Sequence, residues 1–161
     1  MALHKLIVDD FDSDSYFLFA IHCDTSDYSL AYRINNCLKI QLYRSSFDLD
    51  FINSDAYFSV FEWEDEKTFS SYALIKNSCL VEVLGVGKEE GLLFQENTTT
   101  SKTTYLIKEK PKVNYFLKIE ADGINFNSSK IVKQLNSIST ISMAYGLKAS
   151  SLKSKAHLIF N

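Results

Sequence analysis

Four groupings in this 161-residue sequence combine residue types and spacings that chemistry could use. Asp10, Asp12 and Asp14 alternate directly after Leu6-Ile7-Val8, as in a calcium loop or at the strand-end aspartates of a phosphohydrolase. The calcium reading fails because Ser15 and Ile21 stand where such a loop needs glycine and glutamate. In the phosphohydrolase reading Asp10 would be the nucleophile and Asp12 the acid, but Asp14 occupies the Thr or Val position and no later metal-binding motif follows. A solvated acidic loop is the expectation. Gly85-Val86-Gly87-Lys88 imitates the end of a phosphate-binding loop, yet Glu82 replaces its first glycine and Glu89 follows the lysine, where both carboxylates repel phosphate.

His22 and Cys23 are a thiol and an imidazole side by side. Adjacent residues of a strand point to opposite faces, so these two cannot share a proton, and only His4 or His157 could serve Cys23. Cys23, Cys37 and Cys79 have no zinc-site spacing and read as free, mostly buried thiols. No catalytic residue, cofactor or metal is expected. The fourth grouping is basic: residues 1–100 carry a net charge of −10 and residues 101–161 a net charge of +7, for a total of −3. Lys108, Lys110, Lys112, Lys130 and Lys133 are the candidate contacts for RNA or an acidic protein. Trp63 and the tyrosines could stack on bases, but Glu62, Glu64, Asp65 and Glu66 oppose a phosphate backbone.

The elements that must position these groups follow from composition and periodicity. At 46% apolar and 23% charged, the chain reads as one globular domain, 1–161, able to bury its own core. No apolar run suits a membrane span and Asp9 and Asp10 interrupt any secretory core, so a cytoplasmic location is expected. Ser15 to Cys23 reads as a buried strand, 26–38 as a helix, and Lys39 to Arg44 as a strand. Ala56 to Trp63 and Phe69 to Ile75 predict a hairpin turning at Glu64 to Lys67, and Cys79 to Leu84 a further strand. Gly85, Gly87 and Gly91 punctuate a loop, and the polar tract Asn97 to Thr104 predicts a mobile loop. Val113 to Ala121 then predicts a strand, Asn127 or Ser128 to Ile138 a helix, and Thr140 to Leu147 a strand. Tyr16-Phe17-Leu18 and Tyr115-Phe116-Leu117 open their units alike, which suggests a pseudo-repeat. The expected fold is α+β: a single antiparallel sheet with two helices on one face, ferredoxin-like or ACT-like in outline and enlarged by central strands.

Ile107-Lys108-Glu109-Lys110-Pro111-Lys112-Val113-Asn114-Tyr115 resembles the signature of a small bacterial family known as IPExxxVDY. Ile107, Glu109, Val113 and Tyr115 hold motif positions, while Lys108 replaces the proline and Asn114 the aspartate. His4-Lys5-Leu6, Trp63-Glu64-Asp65-Glu66, Tyr115-Phe116-Leu117-Lys118-Ile119 and Leu152-Lys153-Ser154-Lys155 are similar to the family too, so the resemblance spans nearly the whole chain. It implies no known activity. If the motif aspartate only caps a turn, Asn114 replaces it at little cost, since both side chains do that work. With no nucleophile, base and oxyanion donors converging, the expected function is non-enzymatic binding of a protein partner or small ligand at a sheet or dimer edge. A homodimer through an exposed sheet edge is compatible with it. An enzyme would need Cys23, a histidine and an acid in one pocket.

Overall fold

The computed structural model describes residues 16–50, 55–85, 98–121 and 126–159. Strand β1 (Phe17–Cys23) leads into helix α1 (Asp27–Leu38) and three short strands, β2 (Tyr43–Arg44), β3 (Leu49–Asp50) and β4 (Tyr57–Phe58). Longer strands β5 (Val60–Asp65), β6 (Ser70–Lys76), β7 (Ser78–Gly85), β8 (Thr98–Tyr105) and β9 (Tyr115–Glu120) follow, then helix α2 (Ser128–Asn136) and β10 (Ile141–Leu147). Two single-turn helices, Ala149–Ser151 and Lys155–Leu158, come after them. Six strands form one sheet in the order β10-β1-β9-β6-β5-β2, every neighbour antiparallel. Among the described residues, β3 pairs only with β4, and β7 only with β8. The fold is α+β and mostly antiparallel, but the expected single sheet is corrected to one sheet and two ribbons. Up to Thr104, β8 is threonine, serine and lysine, with no apolar face to set into a core, and it pairs with β7 outside the main sheet.

Alternation along the strands sends side chains into two cores. Phe19, Ile21, Leu74, Leu117, Ile119 and Ile141 face Leu30, Ala31 and Ile34 of α1 and Leu135 of α2. Leu18, Ala20, Val60, Ile75 and Phe116 point the other way, against Phe58, Leu106, Ile107, Val113, Leu152 and Leu158. Covered on both faces, the central strands read as unbroken apolar runs such as Phe17 to Ile21. Both helices lie on one face, as expected. Asn127 caps α2 by accepting from Lys130 N at 3.0 Å, and Lys39 closes α1 in the left-handed region at φ 58°. Among the described residues, no helix is long and apolar enough to cross a membrane.

Three local expectations are corrected. Lys39 to Arg44 is a strand only at Tyr43 and Arg44, because the left-handed Lys39 and the buried Ile40 and Leu42 fold back onto the helix-side core. Thr98 to Thr104, expected as a mobile loop, is strand β8: threonine is polar in composition but β-branched in conformation. The β5–β6 turn falls at Glu66 to Phe69, since Asp65 accepts from Lys67 N at 3.0 Å and from the Thr68 hydroxyl at 2.7 Å and fixes the corner there. The two aromatic triplets are not equivalent: Leu18 lies on one face of the sheet and Leu117 on the other. Asp10, Asp12, Asp14, His4, Gly87, Lys88 and Gly91 lie outside the described residues.

A repeat does exist, in the sheet edges. Asn35 of α1 donates to Leu42 O at 2.9 Å and accepts from Leu42 N at 2.8 Å. Asn136 of α2 does the same to Ala144, at 2.8 and 2.9 Å. Leu42 precedes β2 and Ala144 lies in β10, the two outermost strands. Each carboxamide thus stands where the next strand would, supplying one donor and one acceptor.

Candidate functional site

The face opposite the helices is only half covered. Across it run two rows of directly paired residues: Tyr43, Glu62, Ala73, Lys118 and Leu18, and beside them Glu64, Ser71 and Glu120. The small Ala73 side chain leaves depth between Glu62 and Lys118. A cleft of about 600 Å³ opens above these rows, with Ser45, Phe47, Asp48 and Leu49 on its rim. That volume lies within the range of small-molecule sites. Tyr43 and Phe47 remain 58% and 79% exposed, so apolar rings stand at the mouth in contact with water.

Lys118 interrupts the apolar run of β9 and is 6% exposed. A buried ammonium requires a countercharge. Its Nζ lies 2.6 Å from Glu120 Oε1 and 4.8 Å from the Tyr16 ring centroid, while the Ser71 hydroxyl donates to Glu120 Oε2 at 3.3 Å. At the rim, Arg44 pairs with Asp48, donates to Ser45 O at 3.0 Å and Val60 O at 3.2 Å, and lies over the Phe61 ring. Arg44 therefore fixes the rim loop. Among the lining residues Lys118 is the one cation and it is paired with Glu120, whereas Glu62 and Glu64 have no ion pair among the described residues. The local field is negative.

Residues 107–115, which carry the family resemblance, form a fastening rather than a site. Ile107, Val113 and Tyr115 are buried. Glu109 accepts from Ser154 N and the Ser154 hydroxyl, both at 2.8 Å. Burial pulls the Glu109 carboxyl upward, but these hydrogen bonds prevail and hold it below its ordinary value. Asn114 Oδ1 accepts from Cys23 N at 2.9 Å, a bond an aspartate oxygen would accept equally well. The Tyr115 hydroxyl donates to Thr25 O at 2.7 Å, and burial, then the proximity of the ionisable Cys23 and Asp27, pushes its ionisation upward. Composition did not reveal Asn77, which is fully buried and donates to Lys110 O and Val113 O at 2.9 and 2.8 Å while accepting from Ile107 N at 2.9 Å.

The five candidate lysines do not form one patch. Lys108 and Lys112 are exposed and Lys110 half-buried on the loop that covers the cleft side, whereas Lys130 and Lys133 are exposed on α2, across the sheet. Cys23 is buried in the helix-side core, where burial pushes its thiol up, with Asp24 adding and a Thr25 backbone bond opposing. His22 turns away from Cys23 and stacks on Tyr145. His157 Nδ1 lies 2.9 Å from Leu106 O, an acceptor that requires the Nδ1–H tautomer, and sits with the opposite core. Among the described residues no Cys–His pair is assembled, and no three His, Cys, Asp or Glu side chains group to hold a metal ion. Lys118 was missed too; a lysine inside the run Tyr115 to Ile119 was its signal.

No protein-family model, curated protein or solved structure matches the chain.

Proposed function

We propose that this protein is a non-enzymatic binding module whose ligand is a small organic cation with an apolar body, held in the Glu62–Lys118 cleft. The observation that carries this reading is the charge balance of a concave floor: Lys118 is matched by Glu120, the rim carboxylate Asp48 by Arg44 from outside the lining, and Glu62 and Glu64 are left over among the described residues, beneath the exposed rings of Tyr43 and Phe47. An ammonium or guanidinium meets the carboxylates while its hydrocarbon covers the rings. The fold-level part of the proposal is a ferredoxin-like outline. It is supported by the order β10-β1-β9-β6, with α2 linking β9 and β10, which flank β1, while α1 crosses from β1 to β2 at the far edge, over β9, β6 and β5. Membership of the IPExxxVDY family and a cytoplasmic location belong to the same proposal; the fastening made by Ile107, Glu109, Val113, Asn114 and Tyr115 supports the former. The polyanion alternative rests on Lys108, Lys110 and Lys112 alone, on the same side as the acidic cleft.

The test is an NMR titration with an alkyl diamine, the matching diol and the matching dicarboxylate. Shifts at Glu62, Ser71 and Tyr72 with the diamine alone, lost in E62Q/E64Q, are expected. Equal response to the neutral diol, or no response to any, would sink the reading. Binding of single-stranded RNA that weakens steeply with salt and is lost on charge reversal at Lys108, Lys110 and Lys112 would favour the alternative.

A further inference from the structure

The β7–β8 ribbon has an edge of a different kind from those of the sheet. Leu106 N donates to Asn77 O at 2.8 Å, and this pair continues the ribbon register beyond Ser78 and Tyr105. Bonded pairs of an antiparallel ladder recur at every second residue. Thr100, Lys102 and Thr104 therefore turn their backbone groups toward β7, and Thr99, Ser101 and Thr103 turn theirs outward. Among the described residues, the N–H and C=O groups of these three meet no partner, and no carboxamide stands beside them. A two-stranded ribbon is marginal in water, whereas a sheet of three or more strands supports itself. Leu80 and Val83 of β7 add exposed apolar surface, at 67% and 44%.

We propose that β8 pairs antiparallel with β8 of a second copy of this chain, about a two-fold axis at Ser101. The greatest overlap of two such strands puts the axis at Ser101 or Lys102, and the charge pattern decides between them. Outward residues must face outward residues, which places the axis at an outward residue or at one beside it. An axis at Lys102 sets two ammonium groups directly opposite, a repulsive pairing. An axis at Ser101 sets Lys102 opposite the partner's Thr100 and Thr99 opposite the partner's Thr103, so the one charge on the strand meets a neutral β-branched residue. The edge is then complementary to itself, as an isologous contact requires. The result is a four-stranded sheet with about six new backbone hydrogen bonds.

Sedimentation of the full chain over a concentration series gives a monomer–dimer equilibrium. Thr103→Pro removes an outward N–H and spares the bonds to β7, so it weakens the dimer about tenfold or more with unchanged circular dichroism. In case that variant does not fold, Ser101→Cys is the second test. Across the axis the two Cα atoms lie about 5.5 Å apart, within disulfide reach, so oxidation yields a covalent dimer beyond any that the parent chain forms. Lys102→Cys yields none. A monomer at every concentration, a dimer indifferent to Thr103→Pro, or cross-linking through position 102 and not 101 overturns the proposal.

Discussion

The six-stranded sheet and the β7–β8 ribbon are built from the same backbone, yet they treat their edges in opposite ways. The sheet ends on two carboxamides, Asn136 taking the outward N–H and C=O of Ala144 in β10, and Asn35 those of Leu42, the residue just before β2. The ribbon is fastened at its root by Asn77 and beyond that, among the described residues, leaves Thr99, Ser101 and Thr103 open. Asparagine suits each closed position because one planar group both donates and accepts. Where such a residue is present the fold ends; where it is absent, pairing can continue. The open edge is therefore the place to look for assembly, and the closed edges the place to create it artificially.

The largest effect should come at the ribbon root. Asn77→Ala leaves Ile107 N–H, Lys110 O and Val113 O without their buried partner, and we expect a loss of about 3–5 kcal/mol in urea unfolding. Hydrogen exchange should rise first in 106–113. A loss under about 1 kcal/mol would mean that the ribbon is held by other contacts. Asn136→Ala should cost about 1–2 kcal/mol, less because the freed edge can reach water. In a Thr103→Pro background it should also restore concentration-dependent sedimentation through β10; a strict monomer there would show that the carboxamide does not guard the edge.

Smaller effects separate the fastened loop from the hairpins. Glu109→Ala should cost about 0.5–1 kcal/mol at neutral pH, a modest figure because the carboxylate is largely exposed and screened. Its folded value lies below the ordinary 4.5, so this contribution is complete above that pH and fades as pH falls through the lowered folded value. Thermal melts of parent and variant should accordingly converge in acid. Phe69 holds φ 49° in the β5–β6 turn with its ring 90% exposed, and Phe69→Gly should stabilise by about 1 kcal/mol. Destabilisation would reveal a contact for that ring. Last, alkylation of the native chain should spare Cys23, which is buried with its thiol pushed up, and modify the half-buried Cys37 and Cys79 first.

Much of the scaffold was legible in the sequence for a local reason. The runs Phe17 to Ile21 and Phe116 to Ile119, the helix stripes, and the cap at Asn127 are set by neighbours within a few positions. His22 and Cys23 diverge as strand alternation requires. The threonine tract was read by polarity when branching at Cβ decided it. The candidate site was hardly legible. Glu62, Ala73 and Lys118 become neighbours only through pairing of β5 with β6 and β6 with β9. Asn35, Asn77 and Asn136 look like ordinary polar residues until the backbone groups they bind are in place. The lysines looked continuous in the chain because sequence distance cannot tell the two sides of a sheet apart.

Strand β1 lies between β9 and β10, so Phe19 needs Leu117 on one side and Gly146 on the other. Both neighbours are made after β1, with α1 and seven other strands coming between β1 and β9. The β5–β6 hairpin and α1 can form while synthesis continues, but Phe17 to Ile21 must wait for the last strand. Between the synthesis of β1 and that of β9 and β10, this apolar strand has neither of its sheet neighbours. A product truncated before Ile141 would leave one edge of β1 without its partner strand, an exposed apolar edge open to aggregation or proteolysis.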